Sequence, residues 1–339
     1  MDKAVLRELG RKKFGKFCRV CNTCDGVACA GEIPGIGGVL TGRSFQNNIL
    51  ALRAVLLHQR IVHGAGSPDT SCEIFGFKMA APLIAAPIGG ISYNLNDFTP
   101  EGDYARSIVA GSVQSGCLGM TGDGGPEIIY RSGIEAITEA GGRGIPTIKP
   151  RPNRDIIRQA ETAARSGAPA VAVDVDSAAL VNMTRINQPV GPKTEREIAE
   201  LAREIQLPLI IKGVMTVEDA EASLAAGAAG IVVSNHGGRV LDHTPGTAAV
   251  LPGIARAVKG KMAVWVDGGV RTGVDILKML ALGAEAILVG RPFMQAAAGG
   301  AEGVAFAFAA MIEQLKLAMI MTGASKLADI DDSFIFREK

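Results

Sequence analysis

Residues 263–290 read AVWVDGGVRTGVDILKMLALGAEAILVG, and they contain one complete unit of the pattern from which the fold is inferred. The apolar run Ala263–Asp267 predicts a buried strand, and Ala286–Gly290 predicts the next one. Between them, Gly273–Leu282 has the periodicity of a helix, and Gly283 is placed to cap it in a left-handed conformation. A strand, a helix and a second strand in this order are typical of a parallel sheet.

The same alternation extends over most of the chain, from about Met79 onward. Eight strands are predicted there, at Pro82–Pro87, Cys117–Thr121, Ile145–Lys149, Ala170–Val175, Pro208–Lys212, Gly230–Ser234, Ala263–Asp267 and Ala286–Gly290. Helices are predicted at Arg154–Ser166, Glu195–Ile205, Val217–Ala226, Gly273–Leu282 and Glu302–Met321. Eight parallel strands that alternate with helices close into a (β/α)8 TIM barrel of the α/β class, with its chemistry at the carboxyl ends of the strands.

The length of 339 residues suits one large barrel with an appendage. We expect an N-terminal extension with clustered cysteines at 1–69, the barrel at 70–325 and a C-terminal tail at 326–339. Thirty-five basic and thirty-four acidic residues give a net charge of +1, which favours neither nucleic acid nor an anionic membrane. The charged start at 1–16, and the lack of an apolar stretch long enough to cross a bilayer, predict a cytoplasmic protein with small-molecule partners.

The loop after the sixth predicted strand is the most informative for function. Residues 231–242 read IVVSNHGGRVLD, which places His236 and Arg239 three positions apart beyond a buried strand. This pair could serve as an acid/base group and a carboxylate clamp for one small anionic substrate. A solvated loop histidine beside a surface arginine is the alternative. Polar residues at the strand ends favour a site, and they are Lys149, Asp174, Asp176, Lys212, Ser234, His236, Asp267 and Arg291.

Glycine-rich turns after the last two predicted strands indicate a phosphate site. They read Asp267-Gly268-Gly269-Val270-Arg271 and Gly290-Arg291-Pro292. Glycines let backbone N–H groups approach phosphate oxygens, arginines can pair with the dianion, and barrels often bind phosphate at these two loops. Tight turns without a ligand are the alternative. A dinucleotide-binding motif at 35–40 is a poor match, because GIGGVL lacks the third glycine and follows no strand.

Residues of about 70–330 resemble the FMN-dependent family that oxidises α-hydroxy acids, which includes glycolate oxidase, lactate oxidase and flavocytochrome-type lactate dehydrogenases. The matching segments are Ile211-Lys212-Gly213-Val214, Glu218-Asp219-Ala220, Ser234-Asn235-His236-Gly237-Gly238-Arg239, Asp267-Gly268-Gly269-Val270-Arg271, Leu280-Ala281-Leu282-Gly283-Ala284 and Gly290-Arg291-Pro292. The resemblance implies a (β/α)8 barrel, one FMN, and oxidation of an (S)-2-hydroxy acid such as lactate or glycolate to a 2-oxo acid. It also implies a homo-oligomer, and it leaves the electron acceptor unknown.

The resemblance further implies a role for each matching residue. His236 would be the base, Asp176 would orient its imidazole, and Arg239 would bind the substrate carboxylate. Lys212 would stabilise the negative charge of reduced flavin. The implied contacts of the flavin ring are Pro87, Ile88, Gly89, Thr121, Thr147, Lys212 and Ser234. The residues implied at the ribityl phosphate end are Asp267, Gly268, Gly269, Arg271, Gly290 and Arg291.

The chain departs from the family pattern at several positions. Lys149 stands where the family carries a tyrosine, and Asp174 replaces a threonine that contacts flavin. A second substrate arginine is absent from 177–183, although Arg151 or Arg185 could take its place. The departures concern the substrate more than the flavin, so they leave the identity of the hydroxy acid open.

Four of the six cysteines lie within twelve residues, at Cys18, Cys21, Cys24 and Cys29. In a cytoplasmic protein, C-x-x-C pairs more often bind metal or do redox work than form structural disulfides. Three cysteines at C-x-x-C-x-x-C spacing followed by a fourth are compatible with an iron–sulfur cluster, and zinc fits the same thiolates. Four reduced free thiols are the third interpretation.

Two other functions are compatible with this type of barrel. An FMN-dependent isopentenyl-diphosphate isomerase has a similar barrel and phosphate site but lacks the Ser-Asn-His-Gly-Gly-Arg sequence present at 234–239. An iron–sulfur flavoprotein that carries or senses electrons is the non-catalytic alternative, which Lys149 and Asp174 favour. Because His236, Arg239 and Asp176 are all present, the leading hypothesis is an oxidising enzyme.

Overall fold

The computed structural model describes residues 2–32, 36–179, 183 and 188–337. Its strands, in chain order, are β1 (Leu56–Leu57), β2 (Cys72–Ile74), β3 (Phe77–Met79), β4 (Leu83–Ala85), β5 (Leu118–Thr121), β6 (Gly144–Ile148), β7 (Val171–Asp174), β8 (Leu209–Val214), β9 (Gly230–Val233), β10 (Ala263–Val266), β11 (Ala286–Val289) and β12 (Ile335–Phe336). Strands β4 to β11 form a closed parallel barrel, in which β11 pairs with β4. The predicted (β/α)8 barrel is confirmed, and each predicted strand overlaps an observed one.

The helices, in chain order, are α1 (Lys3–Phe14), α2 (Arg43–Ala54), α3 (Ile91–Asn94), α4 (Glu101–Gln114), α5 (Glu127–Glu139), α6 (Asn153–Arg165), α7 (Glu195–Glu204), α8 (Val217–Ala225), α9 (Thr247–Val258), α10 (Gly273–Ala281), α11 (Arg291–Ala296) and α12 (Gly300–Thr322). Local capping sets their ends. At the start of α10, Thr272 and Asp275 form a capping box, each side chain accepting the backbone N–H of the other residue. Left-handed glycines follow α6, α8 and α10, as predicted, at Gly167, Gly227 and Gly283.

The interior of the barrel is apolar. Ile210, Val232, Val264 and Ile287 are fully buried, one on each of four strands. Strands of this kind are buried on both faces, because the outer helices cover the side that does not face the barrel axis. Polar side chains are therefore confined to the strand ends, and that is where the candidate site lies.

The N-terminal segment packs against the loop that follows β9. The carboxylate of Asp242 accepts the backbone N–H groups of Thr41 at 2.8 Å and Ser44 at 3.1 Å. The N–H of Val39 donates to the carbonyl oxygen of Gly238 at 2.9 Å. Helix α2 is thus fastened to the loop that carries His236. Near the other end of the chain, β12 pairs with β1 in antiparallel fashion.

The last helical stretch of the barrel is its most apolar one. The most apolar 18 residues of Arg291–Thr322 have a mean hydropathy of 1.7, and among the described residues this stretch alone is long and apolar enough to cross a membrane. Here α12 packs against α4 and α10, and Val304, Phe308 and Leu315 are buried. The buried helix of a water-soluble barrel meets the same criteria, so the absence of a membrane segment stays a prediction.

Candidate active site

The carboxyl ends of β7, β8 and β9 bring the predicted catalytic side chains together. Asp176 follows β7, Lys212 lies within β8, and His236 follows β9. Because barrel strands end at a common mouth, residues far apart in sequence become neighbours there. The Nδ1 atom of His236 lies 2.9 Å from Oδ1 of Asp176 and 3.6 Å from Oδ1 of Asp174.

A left-handed turn orients the imidazole. His236 has a φ of +56°, and Gly237 and Gly238 follow with +64° and +80°. A β-carbon at Gly238 would collide with the backbone nitrogen of Phe45 in α2, so this position requires glycine for space as well as for conformation. The N–H of His236 donates to Oγ of Ser234 at 3.0 Å. The histidine is therefore held by its backbone and by its ring.

The protonation state of His236 follows from its neighbours. A carboxylate only accepts hydrogen bonds, so Nδ1 carries the proton that faces Asp176 and Nε2 is the free basic nitrogen. Burial lowers the pKa of His236 below its ordinary value of 6.5, although the carboxylates of Asp174 and Asp176 act in the opposite direction. The imidazole is neutral at physiological pH, which is the state that a general base requires.

Two lysines share one buried carboxylate beside the histidine. Lys212 Nζ donates to Oδ1 of Asp174 at 2.9 Å, and Lys149 Nζ donates to Oδ2 at 2.6 Å. Burial alone would raise the pKa of Asp174, but three neighbours lower it well below its ordinary value: His236, which is protonated in the acid range where this carboxyl titrates, and the ammonium groups of Lys149 and Lys212. Burial would lower the pKa of Lys212, but neighbouring carboxylates, Asp174 first, raise it. Asp174 and Lys212 therefore stay ionised at neutral pH.

At the carboxyl ends of the barrel strands, four buried oxygen atoms have no hydrogen-bond partner among the described residues. They are Oγ1 of Thr121, Oγ1 of Thr147, Oδ2 of Asp176 and Oδ1 of Asp267. Buried polar atoms are nearly always paired in folded proteins, so an unpaired one is available to a ligand. Oγ1 of Thr121 lies against α5, since a β-carbon on Gly133 would be 2.6 Å from it. The oxygen atoms of Thr147 and Asp267, two residues implied to contact FMN, are what a site for that cofactor would provide.

One pocket contains most of the implied flavin residues together with His236 and Arg239. The implied residues in its lining are Pro87, Ile88, Lys212, Asp267, Gly268, Gly269, Arg271, Gly290 and Arg291. Gly89, Thr121, Thr147 and Ser234 lie outside this lining. Ser234 still belongs to the polar network below it, since its Oγ donates to Asp267 at 2.8 Å and accepts from Lys212 at 3.3 Å.

The phosphate-end residues are tied to the N-terminal segment as well as to the pocket. Gly268 and Gly269 have φ values of +96° and +84°, and a β-carbon on Gly269 would lie 2.6 Å from the carbonyl oxygen of Asn48. These glycines therefore allow close approach of α2 in addition to leaving room for an anion. Arg291 donates to the carbonyl oxygens of Ile36 at 2.9 Å and Gly237 at 3.0 Å.

Arg291 remains a cation in this environment. Burial lowers its pKa to about 10, which still leaves the guanidinium charged at neutral pH. Its guanidinium carbon lies 3.7 Å from the centre of the Phe45 ring, which is within the range of a cation–π contact. Arg271 donates from Nε to the carbonyl oxygen of Cys24 at 3.0 Å. Both arginines thus supply positive charge to the pocket, with Arg291 beside Gly237 and Arg271 beside the cysteine segment.

Arg239 has donors left over for a substrate. Its Nη2 atom makes a long bond of 3.4 Å to Oδ1 of Asn94, and its Nε atom is buried without a partner among the described residues. Burial raises the pKa of the nearby Tyr93 to about 12, so that phenol stays protonated beside the arginine. Asn94 and Tyr93 were not predicted as site residues, because α3 is a single turn with no distinctive motif.

The two proposed substitutes for the second arginine have different outcomes. The guanidinium of Arg151 forms a buried ion pair with Asp123 and donates to the carbonyl oxygen of Gly124 at 2.8 Å. It also donates to Gln188 at 2.9 Å, so its donors are already engaged. Arg151 therefore does not supply a free carboxylate clamp. Arg185 lies outside the described residues.

The four clustered cysteines line one small cavity together with Phe45 and Arg291. All six cysteines of the chain are unpaired thiols. Among the described residues, one group of potential ligands has all its donor atoms within 4.8 Å of one another, and it consists of Asp174, Asp176 and His236. The four cysteines thus line one cavity, but no three of their sulfur atoms lie within 4.8 Å of one another. Of the other two cysteines, Cys117 is buried and Cys72 is half-buried.

The site depends on residues of α2 that the sequence did not reveal. Asn48 donates from Nδ2 to Oδ1 of Asn235 at 2.7 Å, and its Oδ1 accepts the N–H of Thr247 at 3.1 Å. Asn235 immediately precedes His236, so this bond holds the loop that carries the histidine against α2. The apolar periodicity of α2 carries no sign of its contact with the loop after β9, and only the tertiary structure shows it.

Comparison with known proteins places this geometry in a family. The chain matches the family model of FMN-dependent dehydrogenases over residues 36–193 and 183–337. It belongs to the FMN-dependent dehydrogenase family. Glycolate oxidase 1 of Oryza sativa subsp. indica is 30% identical, with 87% of this chain and 88% of the relative covered. L-lactate oxidase of a Nostoc species is 29% identical, with 89% of this chain and 92% of the relative covered.

Solved structures agree with this assignment to the FMN-dependent dehydrogenases. A crystal structure of mandelate oxidase is 27% identical and superposes with a TM-score of 0.80 over 96% of each chain. A mutant of mandelate oxidase with an FMN adduct superposes with a TM-score of 0.78. The predicted family, the enzyme class and FMN as cofactor are confirmed. The chain is a flavoprotein of the 2-hydroxy-acid oxidase and dehydrogenase group, whereas nothing in these relatives supports iron–sulfur or zinc at the cysteines.

Proposed function

We propose that this enzyme uses FMN to oxidise an (S)-2-hydroxy acid of the lactate or glycolate type to a 2-oxo acid, with His236 as the base. The observation that carries the proposal is the 2.9 Å bond between Nδ1 of His236 and Asp176, made at a pocket that Arg239 and the two glycine turns also line. A base, a carboxylate clamp and a phosphate site for the cofactor are the parts that this reaction needs.

His236 accepts the proton that leaves the substrate. Because Nδ1 is engaged with Asp176, the proton goes to Nε2, and the resulting imidazolium is stabilised by the carboxylates at 2.9 Å and 3.6 Å. This arrangement resembles the role of the aspartate in a catalytic triad, which fixes the tautomer and stabilises the charge without itself taking the proton. Asp176 is therefore the residue that orients the base.

Arg239 holds the substrate carboxylate, and Lys212 supplies charge at the cofactor. The buried, unpaired Nε of Arg239 and its weakly bound Nη2 form two parallel donors, as a bidentate contact to a carboxylate requires. Bound FMN supplies the two-electron acceptor for the hydride equivalent released at C2. The raised pKa of Lys212 keeps its ammonium charged, so it stabilises negative charge without losing a proton.

We further propose that, among the described residues, Arg239 alone clamps the substrate carboxylate. Arg151 is committed to Asp123, and Lys149 donates to Asp174 and to Ser177 at 2.9 Å, so neither offers a second free cation. A site that binds the substrate carboxylate through one arginine tolerates more variation around that carboxylate than a site with two arginines. Weak binding of lactate and glycolate, with KM in the upper part of the usual enzyme range, is the consequence we expect.

The test is anaerobic bleaching of the flavin band by a panel of 2-hydroxy acids. We expect His236→Ala to bind FMN normally while the rate of flavin reduction falls by at least about 10²-fold, the usual contribution of a general base. The matched control is His243→Ala, because His243 lies in the same loop with its side chain 71% exposed. Unchanged reduction in His236→Ala would refute the assigned role.

Product analysis separates this proposal from the isomerase alternative. A 2-hydroxy-acid oxidase reduces one flavin for each 2-oxo acid formed, whereas an isomerase converts its substrate without net flavin reduction. If the panel leaves the flavin oxidised while isopentenyl diphosphate is isomerised, the proposal is wrong. The homo-oligomer and the cytoplasmic location stay predictions.

A further inference from the structure

The cysteine-rich segment forms a second site that the hydroxy-acid chemistry does not use. Cys18, Cys21, Cys24 and Cys29 all line one small cavity, which we call the thiol pocket. The wall of the thiol pocket includes Arg291, which also lines the flavin pocket. The two sites therefore share one guanidinium in their walls.

The backbone of this segment is held in an unfavourable conformation to form the thiol pocket. Val20, between the first two cysteines, has a φ of +46° although it is β-branched and buried. Left-handed conformations of this kind cost on the order of 1–3 kcal/mol and persist where the surrounding structure imposes them. The turn at Val20 lies between Cys18 and Cys21, which both line the same cavity.

Donors and positive charge surround the sulfur atoms. Nη2 of Arg271 lies 3.6 Å from Sγ of Cys24, and Nε2 of Gln295 lies 3.4 Å from Sγ of Cys18. Arg291 also lines the thiol pocket. Hydrogen bonds to sulfur are a usual feature of iron–sulfur sites. A set of structural thiols in a core would have apolar neighbours instead.

The spacing of the sulfur atoms distinguishes one ion from a cluster. Tetrahedral zinc at about 2.3 Å from each sulfur holds its four thiolates roughly 4 Å apart. No three of the four described cysteines have their sulfur atoms mutually within 4.8 Å. A cluster with four irons is wider than a single ion and is bound by four thiolates at its corners. The four thiols are therefore not gathered as closely as one zinc ion would hold them.

We propose that the thiol pocket binds an iron–sulfur cluster through Cys18, Cys21, Cys24 and Cys29. The assignment rests on four thiols in one cavity, on the donors to sulfur from Arg271 and Gln295, and on sulfur atoms that are not gathered around one zinc-sized point. It does not depend on which hydroxy acid the enzyme oxidises. The cluster lies beside Arg291, which also lines the flavin pocket.

The test is reconstitution of the full chain under anaerobic conditions with ferrous iron and sulfide, followed by iron and acid-labile sulfide analysis. We expect about four irons and four sulfides per chain, with a visible band that dithionite bleaches. The Cys21→Ser and Cys29→Ser variants should each lose most of the iron and most of the sulfide. Cys72→Ser is the matched control, because Cys72 is half-buried and lies outside the thiol pocket, and it should retain both.

FMN content is measured on every variant, so that loss of the cluster is distinguished from misfolding. The proposal is overturned if the reconstituted protein holds neither iron nor sulfide, if it takes up zinc in preference and excludes sulfide, or if Cys72→Ser loses the cluster as completely as Cys21→Ser. A variant that loses FMN as well as the cluster is replaced by Cys18→Ala, for which the same outcomes apply. Failure of hydroxy-acid oxidation with the cluster intact would count against the proposed function and not against this site.

Discussion

The ammonium group of Lys149 lies 2.6 Å from the carboxylate of Asp174, and both side chains are less than 10% exposed. Removing one partner of a buried ion pair leaves a desolvated charge, which costs about 3–5 kcal/mol. Because Lys212 still pairs with Asp174, we expect Lys149→Met to lower the free energy of unfolding by about 3 kcal/mol, at the lower end of that range. Urea unfolding of the FMN-bound protein measures it. The control is Arg106→Met, which breaks an exposed pair with Glu139 and should lower the free energy of unfolding by less than about 1 kcal/mol. Equal losses of unfolding free energy in the two variants would contradict this account.

Space at Gly238 is needed for the contact between α2 and the histidine loop. Gly238 and Gly260 both have a φ of +80°, but a β-carbon meets the backbone of Phe45 at the first position and open space at the second. Gly238→Ala and Gly260→Ala therefore carry the same conformational cost of roughly 1–2 kcal/mol, and only the first adds a collision. We expect Gly238→Ala to show the larger drop in Tm and a slower flavin reduction. Equal drops would mean that α2 moves aside freely.

The pH dependence of flavin reduction should report the histidine. His236 must be neutral to act as a base, and its pKa lies below 6.5 because of burial. The rate is therefore expected to be constant at neutral pH and to fall as pH decreases through that pKa. The lowered pKa of Asp174 and the raised pKa of Lys212 keep both groups ionised across this range. Stopped-flow reduction at saturating substrate measures the profile, and a midpoint above 6.5 would contradict the assignment.

Arg239 should affect binding more than chemistry. Arg239→Met removes the clamp and leaves the substrate carboxylate without its partner, at a cost of about 2–5 kcal/mol, or a rise in KM of at least about 30-fold. Arg239→Lys should recover part of the loss, because one donor returns without the bidentate geometry. Steady-state kinetics with the best substrate of the panel provide both constants. A fall in kcat with an unchanged KM would place Arg239 elsewhere in the mechanism.

Asp176 should control the tautomer of the base. In Asp176→Asn, the amide can donate to Nδ1, and the proton of the imidazole then moves to Nε2, where it blocks proton acceptance. We expect flavin reduction to slow by about 10²- to 10⁴-fold with FMN affinity unchanged. Single-turnover reduction separates this effect from flavin reoxidation. If Asp174 at 3.6 Å could replace Asp176, the loss would be less than tenfold.

Local patterns in the sequence were sufficient for the barrel and for the strand ends. The periodicity around β10, with Asp267 directly after Val266, places a polar residue at the mouth without any tertiary knowledge. The same reasoning placed Asp176 and His236 on one rim, and the structure brings them together. Positions at strand ends are predictable because the barrel closes in one way.

Pairings between distant segments were not predictable. The engagement of Arg151 by Asp123 removes an arginine that the sequence offered for the substrate, and the bond from Asn48 to Asn235 joins residues 187 positions apart. Neither contact changes the local periodicity or the turn chemistry, which are the signals that a single sequence carries. The left-handed turn at Val20 is equally invisible, because β-branched residues rarely adopt it.

The bond between Ser44 and Asp242 closes a loop of 198 residues around the barrel. Closing so long a loop has a large entropic cost that is recovered only when most of the intervening chain has already condensed. The histidine loop should therefore take its working shape in the last stage of folding. A nascent chain or a fragment that lacks residues 36–54 would contain the strands but not an ordered histidine loop. Only the completed chain would therefore catalyse the reaction.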